Sequence, residues 1–327
     1  MSVDLKSRIL LMARDDLDAI EKALLENIDP YIDRVREIAG HILFGGGKRV
    51  RPLLMILCAR LCGYSGSDDK KVSAMFEYLH AATLLHDDVV DGARMRRGKP
   101  VAHEVWDSAS AVLVGDFLLA RSASIAVGTG RPLLMEILAG VLEQMSQGEI
   151  HQLMRKGSAD ISEEEYRNII YRKTAALMEG SCRCGAILAD ACDDEVDALG
   201  EYGTNLGLAF QMTDDLLDYT ADTSVLGKMV GADLREGKFT LPLIYTLSVA
   251  NPDDSDFIMR IMKDRNPTPS EFDALKGLLE TYGGISYTRR CAEALVKKAK
   301  DALAPFPACD AKTLLEMLAD YTVSRDW

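Results

Sequence analysis

The chain has 327 residues, 48% of them hydrophobic, and its 38 lysines and arginines face 51 aspartates and glutamates for a formal net charge of −13. Such a composition supports a sizeable core and excludes a broad nucleic-acid surface, so an anionic substrate would need a local basic patch. Seven cysteines are too few for a disulfide scaffold at this length, and MSVDLKSRIL lacks the basic and apolar segments of a signal peptide. Free thiols and a cytoplasmic location are therefore expected.

Helical periodicity runs through the chain, and alternating strand patterns are nearly absent. Helices are predicted over 4–27, 30–42, 51–63, 68–91, 102–127, 132–156, 162–190, 194–221 and 239–250, with shorter ones to the C-terminus. Pro52 and Pro132 suit first turns, and Ser162 with Glu165 reads as a capping box. GGGKR (45–49), GYSGSDD (63–69), DGARMRRGKP (91–100) and NPTPS (266–270) mark loops. None is long enough to be a linker, so one all-α domain over 1–327 is expected. The most membrane-like run, SAVLVGDFLLARSASIAVG, is interrupted by Asp116 and Arg121, so no stable membrane insertion is expected. Cys182 and Cys184 form a lone CxC with no second pair at zinc-ligand spacing.

Two segments break the apolar pattern in the same way. LLHDDVVD places Asp87, Asp88 and Asp91 after the apolar-rich EYLHAATLLH, and DDLLD places Asp214, Asp215 and Asp218 after LGLAFQM. On a helix the first and last acid of each trio share a face. Like charges at that spacing destabilise an isolated helix by about 0.2–0.5 kcal/mol per pair, and burial raises the cost unless the charge is compensated. A solvated helix end is the plain explanation for one such cluster. Two clusters after apolar runs point to Mg²⁺, which keeps several waters and joins one or two carboxylates to substrate phosphates.

Cations accompany the acids. GGGKRVRP offers Lys48, Arg49 and Arg51 but lacks the order of a Walker A loop. Arg94, Arg96, Arg97 and Lys99 follow the first acid cluster, and adjacent Arg96 and Arg97 point to opposite sides if that backbone is extended. Arginine's planar fork matches phosphate oxygens. Lys173, Thr174, Lys228 and Lys238 come later. His80 lies two helical turns before Asp87 and reads equally as a core histidine or an anion contact. Any single lysine here reads first as solvated surface, and it is the repeated placement beside acid clusters and glycines that points to anion binding.

Together, GGKRVRP (46–52), LHAATLLHDDVVDGARMRRGKP (79–100), VGDFLL (114–119), RKTAALMEG (172–180), FQMTDDLLDY (210–219) and GKMVGADLREGKFTLPL (227–243) resemble the trans-polyprenyl diphosphate synthases, the head-to-tail prenyltransferases. The resemblance implies a large helical bundle around a deep central cavity (the isoprenoid synthase fold), a homodimer, and Mg²⁺, three ions per site with diphosphate bound. It implies that an allylic diphosphate, farnesyl diphosphate for choice, ionises and is attacked by isopentenyl diphosphate. It places metal on Asp87, Asp88, Asp91, Asp214 and Asp215, with Asp218 helping through water. It assigns Arg96, Lys173, Lys228 and Lys238 to the allylic diphosphate, and Lys48, Arg51, His80 and Arg97 to that of isopentenyl diphosphate. Thr174 and Gln211 steady the reacting region, and Asp116 is expected to be a structural hydrogen-bond acceptor.

Chain length is the finer question. Thr83 and Ala82, one turn before Asp87, are small where short-chain members carry an aromatic floor, and Leu79 and Tyr78 follow one turn further back. LLHDDVVD with MRRGK and VLVGDF is most similar to octaprenyl diphosphate synthases, so an eight-unit product is expected. Alternatives are a geranylgeranyl or geranylfarnesyl synthase, a terpene cyclase and a non-catalytic synthase subunit. A cyclase would replace DDLLD with an Asn/Ser/Glu pattern, and a regulatory subunit would lose acid motifs.

Overall fold

The computed structural model describes residues 4–28, 30–220 and 231–324. They form helices in the predicted order: α1 (Leu5–Ile28), α2 (Asp33–Leu43), α3 (Val50–Leu61), α4 (Asp69–Val90), α5 (Ala102–Val105), α6 (Ser108–Gly128), α7 (Pro132–Arg155), α8 (Glu163–Ile170), α9 (Ala176–Leu188) and α10 (Asp193–Thr220). Then come α11 (Ala232–Glu236), α12 (Leu241–Val249), α13 (Pro252–Asp264), α14 (Pro269–Thr281), α15 (Gly284–Ala302) and α16 (Asp310–Ser324). Among the described residues the strands are β1 (Met95–Arg96) and β2 (Lys99–Pro100), paired antiparallel.

The helix expected over 102–127 is broken. Trp106 leaves helical geometry, and the Asp107 side chain accepts from Ser110 N at 2.7 Å, capping a fresh start at Ser108. Ser162 and Glu165 do form the capping box of α8. Between α8 and α9 the backbone continues without a loop through a π turn, Tyr171–Ala175, closed by a bond from Ala176 N–H to Tyr171 O.

The chain divides into two compact units, Met1–Leu142 with Leu177–Gly200 and Leu303–Met317, and Glu143–Ala176 with Glu201–Ala302 and Leu318–Trp327. In the first, α4 packs against α1, α3 and α6, burying Val72, Met75, Phe76, Leu79, Ala82 and Leu85. Each fully buried leucine or phenylalanine contributes roughly 1.5–3 kcal/mol, which is what holds a helix carrying acids at its end. Tyr78 also faces inward, its hydroxyl donating to Leu24 O at 2.6 Å. In the second unit α12 packs against α8 and α15, and the rings of Tyr245 and Tyr287 stack at 4.1 Å.

Helix α6 is long and apolar enough by composition to cross a membrane, with 39% of its most apolar stretch buried. The helix is continuous, but its apolar run is interrupted by Asp116 and by Arg121, whose Nε donates to Asn27 O. All seven cysteines are free thiols, and Cys58, Cys182 and Cys184 are buried.

Candidate active site

Each acid cluster occupies the C-terminal turns of its helix, where unsatisfied carbonyls already carry partial negative charge. Placing three carboxylates there is unfavourable on local grounds, so each site must supply its own compensation.

In the first unit Arg96 compensates Asp88. Its Nε approaches both oxygens of buried Asp88 at 3.0 and 3.1 Å, and its Nη2 donates to Oδ1 at 2.8 Å. Arg96 is presented by β1. The following Arg97 and Gly98 have φ of +50° and +76°, the geometry of a two-residue type I′ hairpin turn. The expected extended backbone at Arg97 is therefore corrected: the turn, and not strand alternation, separates the two arginines. A Cβ placed on Gly47 would lie 3.6 Å from Arg97 Nη1, so the hairpin and the GGGKR loop are neighbours.

His80 is the shared neighbour of this cationic group. Burial, then the charges of Arg51, Arg97, Arg96 and Arg49, push its pKa well below the ordinary histidine value. It stands as a neutral imidazole among fixed cations. Lys48 is exposed and Arg51 half-buried at the start of α3. Thus Arg51, His80 and Arg97 are brought together, with Lys48 on the loop beside them.

Below the acids, Leu79 and Ala82 are buried and Thr83 is half-buried, its hydroxyl donating to His80 O at 2.9 Å. Asp116 departs from expectation. Its side chain is 60% exposed and lies 3.6 Å from His86 Nε2, which makes it a surface group and not a buried acceptor.

The second unit holds a cleft lined by Lys173, Thr174, Gln211, Asp215, Asp233 and Lys238, with Tyr166, Ile169, Ile170 and Phe239 as its apolar wall. Lys173 and Thr174 come from the π turn. A Cβ on Gly148 of α7 would meet Arg172 Cβ at 2.8 Å and Lys173 N at 2.9 Å, and one on Gly207 of α10 would meet Ala175 Cα at 2.5 Å. These two glycines let neighbouring helices close directly onto the turn.

From Thr174 a chain of side chains crosses the site. The Thr174 hydroxyl donates to Gln211 Oε1 at 2.8 Å, Gln211 Nε2 donates to Asp215 Oδ1 at 2.8 Å, and the Tyr166 hydroxyl donates to Asp215 Oδ2 at 2.6 Å. Burial pushes the Asp215 carboxyl up to about 6 against the opposing pull of Tyr166 and Gln211, and the Asp214 charge adds to the rise. Asp233 is also raised, by burial and then by Asp215. Asp218 is engaged by the backbone, its two carboxylate oxygens accepting the Ala232 and Asp233 N–H groups at 3.0 and 2.9 Å. The lysines meet carboxylates too, Lys173 Nζ with Glu149 at 2.5 Å and Lys238 Nζ with Glu236 at 2.5 Å. Lys228 lies outside the described residues.

The donor set suits a hard divalent cation, being carboxylate oxygen throughout. Among the described residues no three His, Cys, Asp or Glu side chains converge as a metal cage. Sequence reasoning missed Tyr166, Glu149, Asp233, Gln152, Arg155 and Lys156 around the cleft. Asp233 stood within the quoted GADLREGK segment; Tyr166 and Glu149 carried no local signal.

The polyprenyl synthetase family profile matches residues 32–279. An octaprenyl diphosphate synthase of Escherichia coli (strain K12) is 38% identical over 315 residues, 96% of this chain and 97% of that protein. Two solved structures superpose closely. A polyprenyl synthase from Caulobacter crescentus CB15, complexed with calcium and isoprenyl diphosphate, has a TM-score of 0.92 at 40% identity, covering 100% of this chain and 99% of the other. A decaprenyl diphosphate synthase from Rhodobacter capsulatus has a TM-score of 0.91 at 37% identity over 98% of this chain and 99% of the other. The paired acid clusters, their cations and these near-full-length likenesses agree, and the chain belongs to the polyprenyl synthetase family, with its all-helical isoprenoid synthase fold.

Proposed function

We propose that this enzyme extends an allylic prenyl diphosphate with isopentenyl diphosphate to an all-trans product of eight isoprene units. The carrying observation is the pair of DDxxD clusters, each ending a helix and each accompanied by cations, in a chain with near-full-length likeness to an octaprenyl diphosphate synthase. The chain is a prenyltransferase making long-chain polyprenyl diphosphates from these two substrate classes. The count of eight, the farnesyl primer and the residue roles below are our reading.

Lys173 and Lys238 exchange Glu149 and Glu236 for phosphate oxygens of the allylic substrate, and Arg96 and Lys228 are assigned to the same diphosphate. Lys48, Arg51, His80 and Arg97 hold the second diphosphate. The C–O bond of the allylic substrate breaks with its electron pair on the leaving diphosphate. The alkene of isopentenyl diphosphate attacks the cation, a C–C bond forms, and the departing diphosphate accepts the proton lost. The Thr174–Gln211 pair turns the amide dipole in one direction at this region. Asp87, Asp88, Asp91, Asp214 and Asp215 would hold the divalent metal, which we take to be three Mg²⁺ ions; when bound, it would supply positive charge against the leaving group. Asp218 would help through water, and its carboxylate also fixes the backbone at 232–233. Leu79, Ala82 and Thr83 form the wall past which the hydrocarbon grows.

A single polyprenyl synthase domain is proposed for 1–327, supported by a family match that spans both compact units. A homodimer is proposed from the outward apolar residues Leu113 and Val127 of α6, and a cytoplasmic location from the free thiols. The test is incubation of purified protein with farnesyl and isopentenyl diphosphates and Mg²⁺, followed by extraction and mass spectrometry. Octaprenyl diphosphate is expected as the main product, and chelation should abolish it. A shorter main product would overturn the eight-unit reading, and no condensation with any allylic primer would overturn the activity.

A further inference from the structure

We propose that Arg49, which the sequence offers as one more substrate cation, is the positioning residue of the loop that holds isopentenyl diphosphate. The inference rests on the reading of Lys48, Arg51, His80 and Arg97 as that substrate's site. Arg49 is only 6% exposed and turns away from solvent into the first unit. Its Nε donates to Glu21 Oε1 at 2.7 Å, its Nη1 to Glu77 Oε1 at 2.6 Å, and its Nη2 to Leu43 O at 2.5 Å and Glu21 Oε2 at 3.3 Å. One guanidinium thereby ties the loop to α1, to the end of α2 and to α4. Glu77 stands one turn before His80 on α4, so the same bonds fix the loop against the helix that presents the imidazole.

Two further observations show that the loop is built around this group. Arg49 itself is left-handed, φ +48°, a conformation costing about 1–2 kcal/mol for a residue with a side chain, and its hydrogen bonds hold it there. A Cβ on Gly47 would lie 2.9 Å from Arg49 Nη1. The third glycine of GGGKR therefore makes room for the guanidinium folded beneath the loop. With residue 49 locked, the backbone directions of Lys48 and Arg51 are set before substrate arrives, which removes an ordering cost from binding. A buried ion network is weak evidence for stability alone, since apolar residues fill such space as well. The fork geometry that lysine cannot reproduce is what the loop requires.

The test compares full-length wild type, Arg49→Lys, Glu21→Gln and Lys48→Ala. Glu21 is partly exposed, and its substitution keeps side-chain shape, so that variant reports on the loop if Arg49→Lys folds poorly. Arg49→Lys should raise KM for isopentenyl diphosphate by about tenfold or more, with kcat and the allylic KM within about threefold. Glu21→Gln should shift the same KM by about threefold. In both, hydrogen exchange without substrate should accelerate at amides 45–51 and stay unchanged in α13 and α14. An unchanged KM and unchanged local exchange in both variants would overturn the proposal, as would parallel shifts in both KM values with global loosening. If Lys48→Ala weakens isopentenyl diphosphate and Arg49→Lys does not, the positioning role alone is refuted. If Lys48→Ala has no effect in an active enzyme, the site assignment fails and the proposal with it.

Discussion

Asp215 is 3% exposed, and its carboxyl titrates at about 6 because burial disfavours its charge more than Tyr166 and Gln211 stabilise it. In the unfolded chain it returns to an ordinary value of 3.8. Between those values the folded state keeps a proton that the unfolded state has released. This group's contribution to stability is therefore fully present below about pH 4 and declines as pH rises through about 6, by an amount on the order of 3 kcal/mol. Metal-free wild type should accordingly lose stability relative to Asp215→Asn between pH 4 and 6, seen as converging or crossing urea midpoints; parallel curves would contradict the shift. Affinity for a divalent cation should rise over the same window. Asp215 was legible in the sequence because DDLLD repeats the spacing of DDVVD. Tyr166 was not, because EEEYRNII reads as an ordinary amphipathic helix and its hydroxyl finds a partner 49 residues away.

Among the elements, long periodic segments were the most legible: 132–156 was expected and Pro132–Arg155 is found. The break at Trp106–Asp107 had a readable signal, since Asp-Ser is a common helix start. The hairpin at 95–100 escaped because two-residue strands have no alternation to detect. The π turn escaped because an i→i+5 bond leaves no trace in hydrophobic period. Yet that turn presents Lys173 and Thr174, and it is flanked by glycines that admit no side chain. Gly148→Ala would drive a methyl against the Lys173 backbone nitrogen, which cannot swing aside. It should cost about 1–3 kcal/mol of stability by overpacking. It should also raise the allylic KM with the KM for isopentenyl diphosphate unchanged. Thermal unfolding and steady-state kinetics check the two effects; an unchanged allylic KM would show that the turn tolerates displacement.

Over the whole molecule, a net charge of −13 conceals a concentration of cations around His80, and charge totals alone could not reveal it. What made it legible was adjacency in sequence: GGGKR and MRRGK stand beside glycines and an acid cluster. Adjacency also misled, because Arg49 sits between two proposed ligands and is committed to the interior. The same crowding bears on Arg97. It is left-handed at +50°, beside a glycine, in a turn type for which Asn-Gly is the favoured pair. Burial and the neighbouring Arg96 both act against its charge. Arg97→Asn should therefore raise the unfolding midpoint, by about 0.5–1 kcal/mol in stability, while weakening isopentenyl diphosphate binding severely. A lowered midpoint would show the arginine to be structural. With the predicted result, selection for thermal robustness in the laboratory would tend to discard this arginine, and a hardier protein would be a poorer enzyme.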